Sequence, residues 1–142
     1  MTTTGLEAFD KTLQTTNIWL KEIGEDIGPD RQRCYHALRA VLASLRDRLS
    51  VDEAAHFAAQ LPTLIRGVYY DGYEPAGKPE RIRTRDDFLA KVDERLEGIR
   101  PIGADDATRA VFKVLGRHVT KGELDEVKRS LPDEIRLLFP VT

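Results

Sequence analysis

Apolar residues in this 142-residue chain recur three and four places apart, and no segment alternates apolar with polar at a period of two. That spacing predicts amphipathic helices and no sheet. Leu6, Phe9, Leu13, Leu20 and Ile23 mark a first helix within residues 5–28, closed by Gly28-Pro29. Leu38, Val41, Leu42, Leu45 and Leu49 mark a second. "SVDE" at residues 50–53 then opens a third, because a hydroxyl followed three places later by Glu forms a capping box. This third helix buries Ala54, Phe57, Ala58 and Leu61. Pro62 has no amide hydrogen to lose, so it starts a short helix set at an angle, with Ile65 and Tyr69 on one face. "DGYEPAGKPERIR", residues 71–83, is too rich in Gly and Pro to continue a helix. Thr84 caps a further helix over residues 84–98, with Phe88, Leu89, Val92 and Leu96 as its apolar positions and Gly98 as its stop.

The remaining pattern repeats the earlier one. Shifted by seventy places, Ala37, Arg39, Ala40, Val41 and Leu45 meet Ala107, Arg109, Ala110, Val111 and Leu115. Glu53, Leu61, Pro62, Ile65 and Arg66 meet Glu123, Leu131, Pro132, Ile135 and Arg136 in the same register. "TKGE" at residues 120–123 predicts a second capping box, and Pro132 a second corner with Ile135 and Phe139 turned inward. The helices before each copy align only at an offset of seventy-six, Leu13, Leu20 and Ile23 against Leu89, Leu96 and Ile99. The expected architecture is one all-α domain over residues 1–142, an orthogonal bundle. Its pseudo-repeats span about 5–70 and 84–140, and residues 71–83 join them. Two copies are too few for a solenoid and suit a unit closed on its own duplicate.

Composition narrows the function. Hydrophobic residues make up 41% and charged residues 32%, the balance of a globular chain with a core. A formal net charge of −2 argues against a surface given over to nucleic acid. Cys34 is the one cysteine, which rules out an internal disulfide and suggests a reducing compartment. No apolar run is long enough to span a membrane, and the N-terminus lacks the basic and apolar stretches of a signal peptide. These features point to a whole cytoplasmic protein.

Chemistry-bearing residues are sparse. His36, His56 and His118 follow no zinc-ligand spacing and read as surface or helix-end residues. Cys34 and His36 point apart on a helix, so Cys34 reads as an inert thiol. Asp86-Asp87 and Asp105-Asp106 sit where helices begin and complement the helix dipole. No catalytic set and no cofactor or metal motif emerges. Two candidate surfaces remain. Tyr70 and Tyr73 crowd a turn followed by Arg81, Arg83 and Arg85, and tyrosine with arginine suits a protein or peptide partner. The same chemistry could stack a base or hold a phosphate; the plainer reading packs the tyrosines inward and leaves the arginines solvated. Arg39, Arg66, Arg109 and Arg136 recur between the copies and could line a ligand groove between the halves. The structural alternative pairs each with a capping-box Glu or a carbonyl at a helix junction.

"RAVLASLRDRLSVDEAAHFAAQLPTLIRGVYYDGYEP" resembles a bacterial family of uncharacterised proteins, domain of unknown function 2267. "AVFKVLGRHVTKGELDEVKRSLPDEIRLLFP" is similar to that family's C-terminal half. The resemblance covers roughly residues 5–140 and implies an all-helical bacterial protein, with no reaction and no site residues to carry over. The leading expectation is a non-catalytic interaction or structural module. The alternative is a small-ligand protein or enzyme with a pocket between the halves.

Overall fold

The computed structural model describes residues 4–96 and 102–141. They contain eight helices and no strand: α1 (Glu7–Ile27), α2 (Arg31–Arg48), α3 (Val51–Ala58), α4 (Thr63–Tyr70), α5 (Arg85–Arg95), α6 (Ala104–His118), α7 (Lys121–Arg129) and α8 (Asp133–Arg136). The expected stop at Gly98 and the partner position Ile99 lie outside the described residues. None of the described helices is long and apolar enough to cross a membrane.

Each boundary has a local cause. α1 ends where Gly28 adopts φ 103°, a conformation that costs a residue without a Cβ little. Asp30 caps α2 by accepting from the Gln32 and Arg33 amides, and Thr84 caps α5 by accepting from the Asp87 amide. At α3 the expected capping box is formed in full: Ser50 Oγ accepts from the Glu53 amide, and Glu53 accepts from the Ser50 amide.

The second capping box does not form. Thr120 occupies the N-cap of α7 without a side-chain cap bond. The first turn carries an exposed ion pair at 2.9 Å from Lys121 to Asp125. The proline corners also sit one residue earlier than a first-turn reading. Pro62 and Pro132 are N-caps with ψ 152°, and α4 and α8 start at the next residue. Thr12 of α1 supplies what Pro62 cannot, accepting from the Leu64 amide at 2.9 Å.

α2 is the centre of the molecule. It packs against α1, α4, α5 and α6, and every residue from Ala40 to Asp47 is buried. A helix surrounded by neighbours is apolar on all faces, as Ala40, Val41, Leu42, Ala43 and Leu45 are. α6 is its counterpart, packed on α1, α2, α5 and α7. Leu61, Ile65 and Tyr69 enter the core after the first proline corner, and Leu131, Ile135 and Phe139 after the second. Phe139 stacks on Phe112 with centroids 3.9 Å apart, while Tyr69 meets Phe57 edge-on at 5.7 Å. α1 departs from its pattern: Trp19, Leu20 and Ile23 are buried, whereas Leu6 and Phe9 are 56% and 57% exposed.

Candidate functional site

Where α2 ends, its last turn carries Arg46 and Asp47 into the interior, each with only 3% exposure. Burying a charge costs several kcal/mol unless it is paired and hydrogen-bonded, and both residues are. Arg46 Nε donates to Asp47 Oδ1 at 2.8 Å. Arg46 Nη1 donates to the Tyr69 and Asp71 carbonyls, each at 3.0 Å, at the C-terminal end of α4. From α5, Arg95 Nη2 donates to Asp47 Oδ2 at 2.5 Å, and Arg95 Nη1 to Ser44 Oγ at 2.9 Å. One carboxylate therefore lies between two guanidiniums contributed by two helices.

This cluster fastens the connection 71–83. The Glu80 amide donates to the Asp47 carbonyl at 2.8 Å, and Arg48 Nε to the Ile82 carbonyl at 2.6 Å. Ile82 is buried, and Gly72 at φ 73° makes the turn away from α4. Arg46 also lies over the ring of Tyr73, 5.0 Å from its centroid. Tyr70 and Tyr73 are half-buried in a chain of ring contacts that begins at Tyr69. Burial raises the Tyr69 phenol, which donates to the Ala54 carbonyl at 2.9 Å. Burial, with Tyr70 and Asp47 close by, raises Tyr73 as well. The Tyr73 hydroxyl is buried and finds no hydrogen-bond partner among the described residues.

The arginines of the same stretch behave differently. Arg81 and Arg83 flank buried Ile82 in irregular chain and are exposed. Neither side chain makes a hydrogen bond or ion pair among the described residues. Arg85 is committed elsewhere: its Nη2 reaches Asp105 Oδ2 at 3.0 Å, and Arg109 Nε takes Asp105 Oδ1 at 2.7 Å. Burial acts to raise Asp105, but the Arg109 and Arg85 contacts outweigh it and hold the carboxyl below its ordinary value.

The four recurring arginines do not line one groove. Arg66 gives Nε to the Ala58 carbonyl and Nη2 to the Leu61 carbonyl, both at 2.9 Å, and so seals the α3–α4 junction. Arg136 is paired with Asp133 within its own helix. Arg39 faces Asp71 at 3.8 Å, and Arg109 pairs with Asp105, so neither meets its capping-box Glu. The reason is one of direction: each lies on a flank of α2 or α6 turned toward a different neighbour from α3 or α7. Arg39 opens on a pocket of about 250 Å³ with Ala43, Arg46, Val68 and Arg95. Arg109 opens on a separate one of about 310 Å³ with Asp106, Lys113 and Leu138. Arg39, Ala40, Ala43 and Val68 of the first stand seventy places before Arg109, Ala110, Lys113 and Leu138 of the second. A larger cleft of about 540 Å³ between α1 and the start of α2 has Lys21, Glu25 and Arg31 on its rim, and Arg31 is tied to Asn17 at 2.6 Å.

Among the described residues no group of three or more His, Cys, Asp or Glu could hold a metal ion. His118 ends α6, stacks on Trp19 at 5.1 Å and meets Glu22 at 2.7 Å, while His56 pairs with Glu126 at 3.3 Å. Cys34 is buried, its thiol raised chiefly by that burial, and its Sγ contacts the Gly28 carbonyl at 3.3 Å.

Sequence reasoning passed over Arg46, Asp47 and Arg95. The available signal was the uninterrupted apolar run Ala40–Ala43 with Leu45, which leaves α2 no solvent face on which the next two charges could lie.

Over residues 16–138 the chain matches a family described as "Uncharacterized conserved protein (DUF2267)", and it belongs to that family. No curated protein matches it.

Proposed function

We propose that the chain is a non-catalytic interaction module of the bacterial cytoplasm, whose contact surface centres on Arg81 and Arg83. The observation that carries this reading is that the segment is held rigid while its charges are left free. Ile82, the Glu80 amide and the Arg48 contact fix the backbone to α2, and the two arginines on either side of Ile82 have no partner among the described residues. A fixed backbone lowers the ordering cost of binding, and two unpaired arginines steer an oppositely charged partner toward them. The complementary partner is an acidic segment of another protein.

The test is retention of partners from the source organism on immobilised protein, beside an Arg81→Glu/Arg83→Glu variant. A partner retained by the wild type should be acidic at its contact, be lost by the variant, and bind more weakly between low and physiological salt. A partner bound equally by both proteins, with no salt dependence, would place the surface elsewhere.

A further inference from the structure

We infer that the pocket where α2, α4 and α5 meet binds the phosphate group of a small phosphorylated molecule, through the guanidiniums of Arg39, Arg46 and Arg95. Arg81 and Arg83 are not among the residues that line it.

Charge balance is the first step. Arg39, Arg46, Arg95 and Asp71 line this pocket, and Asp47 is held between Arg46 and Arg95. Asp47 is fully engaged: one oxygen takes Arg46 and the other takes Arg95. Its single negative charge is divided between two cations, which leaves a surplus at the floor. Asp71 offsets Arg39 only through a 3.8 Å contact, with side chains 52% and 69% exposed. An exposed pair of that length contributes little and is easily displaced. Three arginines against Asp47 and Asp71 leave the site one net positive charge, and displacing the exposed Asp71 from Arg39 frees that guanidinium to meet a phosphate group.

Donor supply is the second. Arg46 spends Nε and Nη1 on the protein and leaves Nη2 without a partner among the described residues. Arg95 spends both terminal nitrogens and keeps Nε, and Arg39 forms no hydrogen bond among the described residues, only its long ion pair. Arg46 and Arg95 are already fixed by their Asp47 contacts, so an anion would meet donors held in place.

Size and surroundings are the third. A volume of about 250 Å³ falls just below the usual range for sites that enclose whole drug-sized ligands, roughly 300–1,000 Å³. It suits one charged group with the remainder of the ligand outside. Arg39, Val68 and Asp71 also border an adjoining shelf containing Tyr35 and Leu64, which are 38% and 37% exposed. That shelf can take an apolar or aromatic body attached to the phosphate. The second copy has no equivalent: Gly116 and Arg117 stand where Arg46 and Asp47 do in the first.

The experiment is a titration of the full-length protein, followed by amide and arginine Nε–H chemical shifts, with inorganic phosphate and with phenyl phosphate at constant ionic strength. Saturable shifts at Ala40, Ala43, Val68 and Gly72, with affinity reduced about tenfold or more in Arg39→Glu, are expected. Arg39 is half-exposed, so this variant should fold, and unchanged shifts far from the pocket would verify that. Tighter binding of phenyl phosphate would assign the shelf to the ligand body, whereas equal binding would identify phosphate itself as the ligand. The Arg81→Glu/Arg83→Glu variant should bind phosphate like the wild type. Absence of saturation at the pocket, saturation unaffected by Arg39→Glu, or shifts centred on Arg81 and Arg83 would each overturn the assignment.

Discussion

The carboxylate of Glu53 joins two helices that belong to different halves of the chain. Its Oε1 accepts the Ser50 amide at 2.9 Å, closing the cap of α3, while its Oε2 accepts the Ser130 hydroxyl at 2.7 Å, at the end of α7. Burial is the largest single influence on this group and acts to raise it. The Ser130 and Ser50 hydrogen bonds and the nearby Arg48 together overcome that, and the carboxyl lies below its ordinary value of 4.5.

A depressed carboxyl stabilises the folded state fully at pH values above its unfolded pKa, and the contribution is lost as pH falls through the folded value. Glu53→Gln should therefore be less stable than the wild type at neutral pH. The gap should shrink once pH drops below 4.5. Urea midpoints measured from about pH 7 down to about pH 3 would show it. A gap that stays constant across that range would mean the ionised form is not what the two serines hold.

Leu61 and Leu131 precede the two proline corners, seventy residues apart, and are 2% and 4% exposed. Truncating either to Ala should cost about 2–5 kcal/mol, the range for a buried leucine whose cavity relaxes only in part. If the two halves are copies in packing as well as in sequence, both costs should fall in that range. Denaturant unfolding of both variants measures this, and a large effect at one site with none at the other would separate the halves.

The Arg46–Asp47 pair predicts a different signature. Asp47→Ala leaves Arg46 buried with its charge uncompensated on one side, a loss of about 3–5 kcal/mol for a pair of this kind. Arg46→Ala should also release the Tyr69 and Asp71 carbonyls and speed amide exchange through residues 71–83, with α6 little affected. Hydrogen exchange resolved by segment provides the comparison. Uniform loosening of the whole molecule would show that Arg46 is not specific to this connection.

Helix positions were legible wherever periodicity and a cap agreed, as at Ser50 to Leu61, where the apolar interval and the capping box mark the same boundary. Thr120 shows the limit of the motif: the right residue types stood at the right spacing, yet the bonds did not form. The buried charges escaped for another reason. Neighbours on a helix do not face each other, so Arg46-Asp47 reads as a solvated turn until Arg95, forty-eight residues beyond Asp47, is brought against it. Likewise, the tyrosines and arginines of residues 70–85 read as one surface, but only three-dimensional packing could divide them into half-buried rings and outward guanidiniums. The recurring arginines were visible as a pattern. Their separation was not, because sequence register fixes which residues correspond and leaves open which neighbour each one faces.

The N-terminal turns of α1 provide the sharpest disagreement between periodicity and burial, and they yield the last prediction. Leu6, Phe9 and Leu13 continue the helical spacing of Leu20 and Ile23, so the pattern alone assigns all five to the core. In the structure Leu20 is 7% and Ile23 0% exposed, whereas Leu6, Phe9 and Leu13 are 56%, 57% and 37% exposed. Ile23→Ala should then cost about 2–5 kcal/mol, while Phe9→Ser should stay within about 0.5 kcal/mol of the wild type. Unfolding can be followed through Trp19, the sole tryptophan, buried and stacked on His118. Both variants leave that reporter in place. A cost above about 2 kcal/mol for Phe9→Ser, beyond what an exposed position gives, would mean that the stripe is covered in solution and that the sequence pattern, not the exposure, describes its working state.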